Sequence, residues 1–376
     1  MKWIETLFGR KGTAIVPQTT APFSLRSLAG VNSALADQFL WAANTMPSNA
    51  PRWLHWGCGA HVLEGFLNVD FLPRDPRVLS WQFLDPWPLD SLDGYFEGAF
   101  SEDTLEHFFL AEQAYLLCNL NCVLKHGGTA RILMPSYARL VEHAQTREIQ
   151  PGAFLHDTFG VTTPVDAINC GMRFSGHRWL HDHESFARLA RDCGFEAIPT
   201  TCAHSAVAML SGHNLRSETD SASFAHDLTK RRALRSIRVL PTAVIGAEQV
   251  EDAAPGVALY RATLNDALVK YTLPRAIAAG EIACLNIRGA NVSSFRNHYY
   301  KQLAFASGDK RGIWRFDETM KSCPVMNTVT HAQIAIAMRD MPQVEELAFT
   351  PAGAGGEYFT LGPLEMFHFD SREESR

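Results

Sequence analysis

The chain has 376 residues, which at about 150 residues per domain points to two domains. Hydrophobic residues make up 46% and charged residues 20%, with 26 Gly and 19 Pro, so the chain can bury sizeable cores and is neither disordered nor collagen-like. The formal net charge of −6 offers no general attraction for phosphate backbones and argues against nucleic acid as a partner.

The N-terminal sequence MKWIETLFGRKG carries Glu5 where a signal peptide would need unbroken apolar residues, and no run approaches the roughly 18 apolar residues of a membrane helix. A cytoplasmic protein with no integral membrane segment is expected. Trp3, Ile4, Leu7 and Phe8 beside Lys2, Arg10 and Lys11 read as a mobile extension in preference to a membrane-surface anchor. The eight cysteines are spread over the chain without a CxxC pair, and they read as reduced thiols.

Residues 1–50 form an N-terminal extension ending in a lead-in helix over 32–43, where Leu35, Phe39, Leu40 and Ala43 share a side. From 51 to 238 short apolar runs alternate with helical stretches, the pattern of a mostly parallel sheet with crossovers. Strands are expected over 53–56, 66–69, 78–84, 94–100, 129–134 and 195–200. A long helix is expected from about Asp103 to Lys125. Leu105, Phe109, Leu116, Leu120 and Val123 recur at helical spacing there, and Gly127 and Gly128 supply a stop. A second helix follows Asp182 as N-cap, with Phe186, Leu189, Ala190 and Cys193 inward and Gly194 at its end.

Past Lys230, Arg231, Arg232, Arg235 and Arg238, a basic cluster read as a solvated face, the character changes. From 239 to 376 short alternating runs (257–263, 267–272, 281–288, 312–316, 332–338 and 357–361) without helical crossovers predict an antiparallel β-sandwich domain.

Trp53-Leu54-His55-Trp56-Gly57-Cys58-Gly59 followed by Phe66-Leu67-Asn68-Val69-Asp70 puts a glycine pair after one strand and a carboxylate at the end of the next. Ligands of open parallel sheets bind there, because the carboxyl ends of adjacent strands open a crevice. Glycines let backbone approach a cofactor, and Asp70 can accept hydrogen bonds from two ribose hydroxyls. The dinucleotide fingerprint fails: Val62 stands where its third glycine belongs, and no carboxylate follows at about 20 residues. Six residues, Ala60 to Gly65, separate Gly59 from the next strand, too few for the helix that would hold a pyrophosphate. S-adenosylmethionine has no phosphate and carries a sulfonium cation, so the short loop favours it over NAD.

The runs LHWGCGAHVLEGFLNVDF, WQFLDPWPLD, AFSEDTLEHF, VLKHGGTARILMPS and FSGHRWLHDHESFARLARDCGF, in that order over about residues 52–230, resemble predicted class I SAM-dependent methyltransferases of a bacterial family linked to surface polysaccharide synthesis. The resemblance implies an α/β, Rossmann-like doubly wound sheet, parallel with one antiparallel strand, for which residues 223–229 are the candidate. It implies that Gly57, Cys58 and Gly59 form the cofactor loop and that Asp70 holds the ribose. Asp85 would address the adenine, and Ser101 and Glu102 the methionine end. His61 replaces the third glycine of the broader motif, and Asp103 stands where relatives usually have His.

Methyl transfer to a hydroxyl needs the acceptor held in line and its proton removed. His107 is the preferred base and His177 the second choice, with Glu106 beside them; a solvated Glu106 and a structural His177 are the plainer alternatives. His177, His181 and His183 near Cys170 lack a common face, so no metal is expected. Cys118 and Cys122, one helical turn apart, read as small buried thiols. The segments 293–298 and 308–314 faintly resemble galactose-binding-like jelly rolls. The expected function is SAM-dependent O-methylation of a sugar or glycan precursor, with a small-molecule or glycan acceptor and a homo-oligomer conceivable through the C-terminal domain. The alternatives are a non-catalytic SAM-binding or assembly protein, or a carbohydrate-binding protein whose active part is the sandwich.

Overall fold

The structure, a computed structural model, describes residues 47, 49–174, 176–215, 223–254, 257–265, 267–291, 302–307, 310–315, 329–332, 343–352 and 355–369. The expected lead-in helix over 32–43, the 293–298 segment and most of the run expected over 332–338 lie outside the described residues.

The first sheet has seven strands in the order β3-β2-β1-β4-β5-β7-β6. They are β1 (Trp53–Trp56), β2 (Phe66–Asp70), β3 (Leu79–Ser80), β4 (Phe96–Glu102), β5 (Leu124–Pro135), β6 (Phe195–Thr200) and β7 (Ser223–Lys230). The first five pair in parallel, and β7 runs antiparallel to both β5 and β6. This mixed sheet with its one antiparallel strand is the Rossmann-like arrangement the resemblance implies, and β7 falls on the residues expected for that strand.

Two expectations need correction. The strand over 78–84 shrinks to Leu79–Ser80, because Trp81, Phe83 and Trp87 leave the ladder to anchor a loop in the core, Trp81 and Trp87 meeting edge to face at 5.5 Å. The helix over 103–125 is in fact a 3-10 turn, Leu105–His107, followed by a shorter helix. Among the helices are α1 (Leu89–Leu92), α2 (Leu110–Val123), α3 (Tyr137–Thr146), α4 (Phe154–Phe159), α5 (Pro164–Phe174) and α6 (His183–Asp192). Glu112 Oε2 accepts the Phe109 N–H at 2.9 Å and so starts α2 one turn late. At its other end α2 runs directly into β5, so Gly127 and Gly128 lie in the strand and stop nothing. No glycine cap is needed there, since Gly94 N–H reaches the Cys122 carbonyl at 3.0 Å and Lys230 Nζ the Leu124 carbonyl at 2.8 Å. The Asp182 start of α6 is as expected: its carboxylate accepts from Ser185 N–H at 2.8 Å, and Phe186, Leu189, Ala190 and Cys193 are buried.

The remaining strands are antiparallel and form two sheets. One takes β10 (Ala247–Ala254), β11 (Val257–Ala262), β18 (Tyr358–Phe369), β13 (Ile282–Asn291) and β16 (Val329–Ala332), with β8 (Leu234–Val239) also on β18. The other takes β15 (Lys310–Arg315), β14 (Gln302–Ser307), β17 (Gln343–Ala352), β12 (Ala267–Ala278) and β9 (Ala243–Ile245). A common apolar cluster draws Tyr271, Ile277 and Leu347 from the second and Ile282, Leu285 and Met366 from the first. The chain leaves the mixed sheet after Lys230 and enters the antiparallel one at Leu234, a few residues ahead of position 239.

The one-faced helix expected over α2 is instead buried from Ala111 to Val123. One side packs on the mixed sheet, and the other meets Ala283, Cys284, Phe367 and Phe369 of the antiparallel sheet within one continuous core. The buried polar groups of α2 are answered across this junction. Tyr115 Oη donates to Glu365 Oε2 at 3.1 Å, and Asn121 Nδ2 donates to the Cys193 and Arg232 carbonyls at 3.0 and 2.9 Å while its Oδ1 accepts Leu234 N–H at 3.0 Å. Cys118 and Cys122 are buried, and burial pushes the Cys122 thiol up to about 12.

Past Lys230, which is buried, the basic cluster is the solvated face expected, with Arg231, Arg232, Arg235 and Arg238 all exposed. Besides Lys230, Arg231 pairs with Glu196 at 2.6 Å, Arg232 lies 3.8 Å over the Phe369 ring, Arg235 pairs with Asp93 at 2.7 Å and Arg238 with Glu365 at 3.3 Å. No helix among the described residues is long and apolar enough to cross a membrane.

Two predictions arise. Asn121→Ala, which strips partners from three buried backbone groups, is expected to cost about 3 kcal/mol, read as a shift in a single cooperative urea transition. Burial holds His55 down to about 3, His181 to about 4 and His226 to about 3. The unfolded chain, with ordinary imidazoles near 6.5, therefore binds more protons below that pH. Their contribution is complete above pH 6.5 and is lost as pH falls toward 4, so the thermal midpoint should drop across that window.

Candidate active site

β1 lies between β2 and β4 in parallel register, Trp56 opposite Val69 and His55 opposite Phe100. Gly57 to Gly59 therefore emerge between Asp70 at the end of β2 and Ser101 and Glu102 at the end of β4. The structure brings these six residues to one end of the sheet. Gly57 and Cys58 donate their N–H groups to the Val69 carbonyl at 2.9 and 3.2 Å, folding the loop back on β2. Gly59 N–H donates to Asp70 Oδ2 at 2.9 Å, and Leu72 N–H donates to Oδ1 at 2.9 Å. Each carboxylate oxygen retains further acceptor capacity.

Gly57 and Gly59 have φ of 71° and 54°, the left-handed region. They differ in what a side chain would meet. A Cβ on Gly57 would lie 2.0 Å from Thr104 Oγ1, whereas one on Gly59 would have nothing within 4 Å. Gly57 is thus a packing requirement set by Thr104, which also lies within hydrogen-bond reach of the Gly57 carbonyl at 3.3 Å. Gly59 borders open space. The Cys58 thiol is pushed up to about 12, chiefly by burial and then by Asp70, so it is no nucleophile at neutral pH.

Asp85 is buried in the loop after β3, which is tied to the site by Trp81 N–H on the Asp70 carbonyl at 2.9 Å. The Ser101 hydroxyl is buried with no hydrogen-bond partner among the described residues. Glu102 Oε2 accepts Leu215 N–H at 2.9 Å, so the segment following β6 reaches across to the end of β4. That segment is held by Arg131, whose guanidinium pairs with Asp227 at 2.9 Å and donates to the carbonyls of Thr201, Cys202 and His204 at 2.7, 2.8 and 2.9 Å. Arg131 escapes a sequence reading because one charge inside an apolar strand has no local signature; its pairing with Asp227 on β7 is the only clue.

Glu106, His107 and His177 also come together. His107 Nε2 and His177 Nε2 both lie 3.9 Å from Glu106 Oε1, and the two rings meet edge to face at 5.3 Å. Glu106 is completely buried, while the side chain of His107 is 39% exposed and opens the cluster to solvent. The plainer alternative, a solvated Glu106, is therefore excluded. Burial lowers the His107 pKa against a hydrogen bond to the Gly176 backbone and the nearby Asp103 charge, which leaves the ring neutral at pH 7.

Gln113, on the first turn of α2, makes this juxtaposition. Its Nε2 reaches the carbonyls of Leu105, Phe108 and Trp179 at 2.9, 3.1 and 3.2 Å. With that amide nitrogen donating, Oε1 accepts from His181 Nε2 at 2.8 Å. The Glu106 carbonyl takes the N–H groups of Arg178 and Trp179 at 2.7 and 3.2 Å. His181 and His183 lie apart from His177: His181 is held by Gln113 and Ser185, and His183 meets His226 at 3.4 Å.

No family model matches the chain, and no curated protein matches it. Among solved structures it is similar to a SAM-dependent methyltransferase from Archaeoglobus fulgidus, at 14% identity and a TM-score of 0.31, covering 55% of this chain and 95% of that one. It is similar to an O-methyltransferase family protein from Burkholderia thailandensis at 16% identity and a TM-score of 0.27, covering 56% and 57%. A low-affinity xylan-binding module from Roseburia intestinalis is similar at 10% identity and a TM-score of 0.24, covering 37% of this chain and 98% of the module.

The contrast between the two glycines is testable. Gly57→Ala should cost about 3 kcal/mol by steric overlap with Thr104, and Gly59→Ala about 1–2 kcal/mol for its backbone conformation alone. Equal losses of stability in urea titrations would mean that Thr104 does not constrain the loop.

Proposed function

We propose that the chain is a SAM-dependent methyltransferase that O-methylates a small-molecule or glycan acceptor, a sugar or glycan precursor being the favoured class. The observation that carries this reading is the convergence of Gly57, Cys58, Gly59, Asp70, Ser101 and Glu102 at one end of a mixed sheet, with open space in front of Gly59. The residues suit S-adenosylmethionine. Asp70 keeps acceptor capacity for ribose hydroxyls, the Ser101 hydroxyl has no hydrogen-bond partner among the described residues, and Asp85 is buried on the side proposed for the adenine. When bound, that cofactor supplies a methyl group already activated by a sulfonium.

What this chain's residues must add is orientation and a destination for the acceptor proton. The Glu106–His107–His177 cluster follows Thr104, which touches the cofactor loop, and His107 opens it to solvent. A neutral His107 can accept a hydroxyl proton, with buried Glu106 stabilising the charge that results. A neutral sugar needs no basic surface, in keeping with the net charge of −6. The region from 239 onward is proposed as a β-sandwich accessory that presents the acceptor.

Calorimetric titration with S-adenosylmethionine or its demethylated product is the first test. Micromolar binding that weakens at least tenfold in Asp70→Ala is expected, and no heat at millimolar ligand would end the proposal. His107→Ala should keep that affinity and lower the methylation rate about 10²-fold; an unchanged rate would remove the cluster from the chemistry.

A further inference from the structure

Glu106, His107 and His177 come from two separated stretches of chain, and their ligand atoms lie within 4.8 Å of one another. Both imidazole Nε2 atoms stand 3.9 Å from the same carboxylate oxygen. That is too long for a hydrogen bond and wider than contact. Metal–nitrogen and metal–oxygen bonds of about 2.0–2.2 Å at a tetrahedral angle place donors roughly 3.4 Å apart, so each imidazole–carboxylate gap must close by about half an ångström to seat an ion, with all three donors already within 4.8 Å of one another. Two features of the surroundings fit a ligand set. The His107 ring is hydrogen-bonded to the Gly176 backbone, the outer contact that fixes the tautomer and turns the other nitrogen toward a metal. Glu106 puts its carboxyl group at a completely buried position facing both imidazoles, an oxygen donor for a cation once ionised. The two stretches of the site are clamped by the Glu106 carbonyl on Arg178 and Trp179 and by Gln113, so the donors stand near one another before any ion enters.

We infer that Glu106, His107 and His177 form a binding site for a divalent first-row transition ion, with coordination positions left open toward solvent on the His107 side. Two imidazoles and one carboxylate suit Zn²⁺, Mn²⁺, Fe²⁺ and Co²⁺ better than Mg²⁺ or Ca²⁺, which prefer all-oxygen sets. The sequence expectation of no metal considered His177 with His181 and His183, two residues that the structure places elsewhere. If the methyl-transfer proposal holds, on which this second step rests, the ion coordinates the acceptor hydroxyl and makes it more acidic; the O–H bond breaks, its proton leaves to solvent, and the imidazoles serve as ligands in place of a base.

The experiment is a titration of the metal-stripped full chain with Co²⁺, read by visible d–d absorption and by equilibrium dialysis, without any methyl donor. About one Co²⁺ per chain with d–d bands is expected, displaced by Zn²⁺. His177→Ala and Glu106→Gln should each weaken binding at least tenfold, while the remote variant His156→Ala, at a half-buried site on α4, should not. Circular dichroism and the calorimetric affinity for S-adenosylmethionine identify any variant that fails to fold, and His177→Asn then replaces it. Less than 0.1 Co²⁺ per chain at excess metal, or wild-type binding in His107→Ala/His177→Ala, would overturn the site. Cofactor binding without Co²⁺ binding leaves the imidazole base standing and rejects the metal. Co²⁺ binding without cofactor binding keeps the metal site and rejects the methyltransferase.

Discussion

Burial of α2 on every side is the constraint on which the rest of the molecule depends. A helix that covers one sheet ordinarily keeps a polar face for water. Here Glu112, Gln113, Asn119 and Asn121 are all inaccessible, and such groups are tolerated only with partners. Asn121 finds them in the turn after α6 and at the start of β8, Glu112 at the helix N-terminus, and Gln113 among the 105–108 and 179–181 segments. The antiparallel sheets are consequently part of the core that holds the site, and removing them would leave a buried face of α2 bare.

The two halves of the candidate site are built in different ways. The half around Gly57 and Asp70 is local: the loop of Gly57 to Gly59 folds onto β2 through two backbone bonds to Val69, and Asp70 closes it. Thr104 fills the space a side chain on Gly57 would need, linking the end of β4 to that loop. The half around Glu106 is assembled from distance. His177 reaches Glu106 and His107 only because the chain after α5 pairs with the Glu106 carbonyl and the Gln113 amide. One polar side chain on a buried helix thereby joins fold stability to site geometry.

Much of the mixed sheet was legible in the sequence, since β1, β2 and β6 begin where period and composition place them and β7 lies on its expected residues. The errors share a cause. The 78–84 run is apolar enough for a strand, but its tryptophans serve as core anchors. The 103–125 run has helical spacing, yet Glu112 caps it late and the junction carbonyls are satisfied by Gly94 and Lys230, partners remote in sequence. By contrast the basic cluster after β7 is the exposed face its composition predicts, and folding adds only acidic and aromatic partners for Arg231, Arg235 and Arg232 at the surface.

By itself the sequence determined the alternation of apolar runs, the glycine pair followed by Asp70, and the proximity of Glu106 to His107 in the chain. These are properties of nearest neighbours and of strand period, which hold before any long-range contact forms. Tertiary structure decided that α2 has no solvent face, that Thr104 makes Gly57 obligatory, and that His177 joins Glu106 and His107 while His181 and His183 do not. Each of these depends on which distant group supplies a hydrogen bond or fills a void, and spacing along the chain carries no information about that.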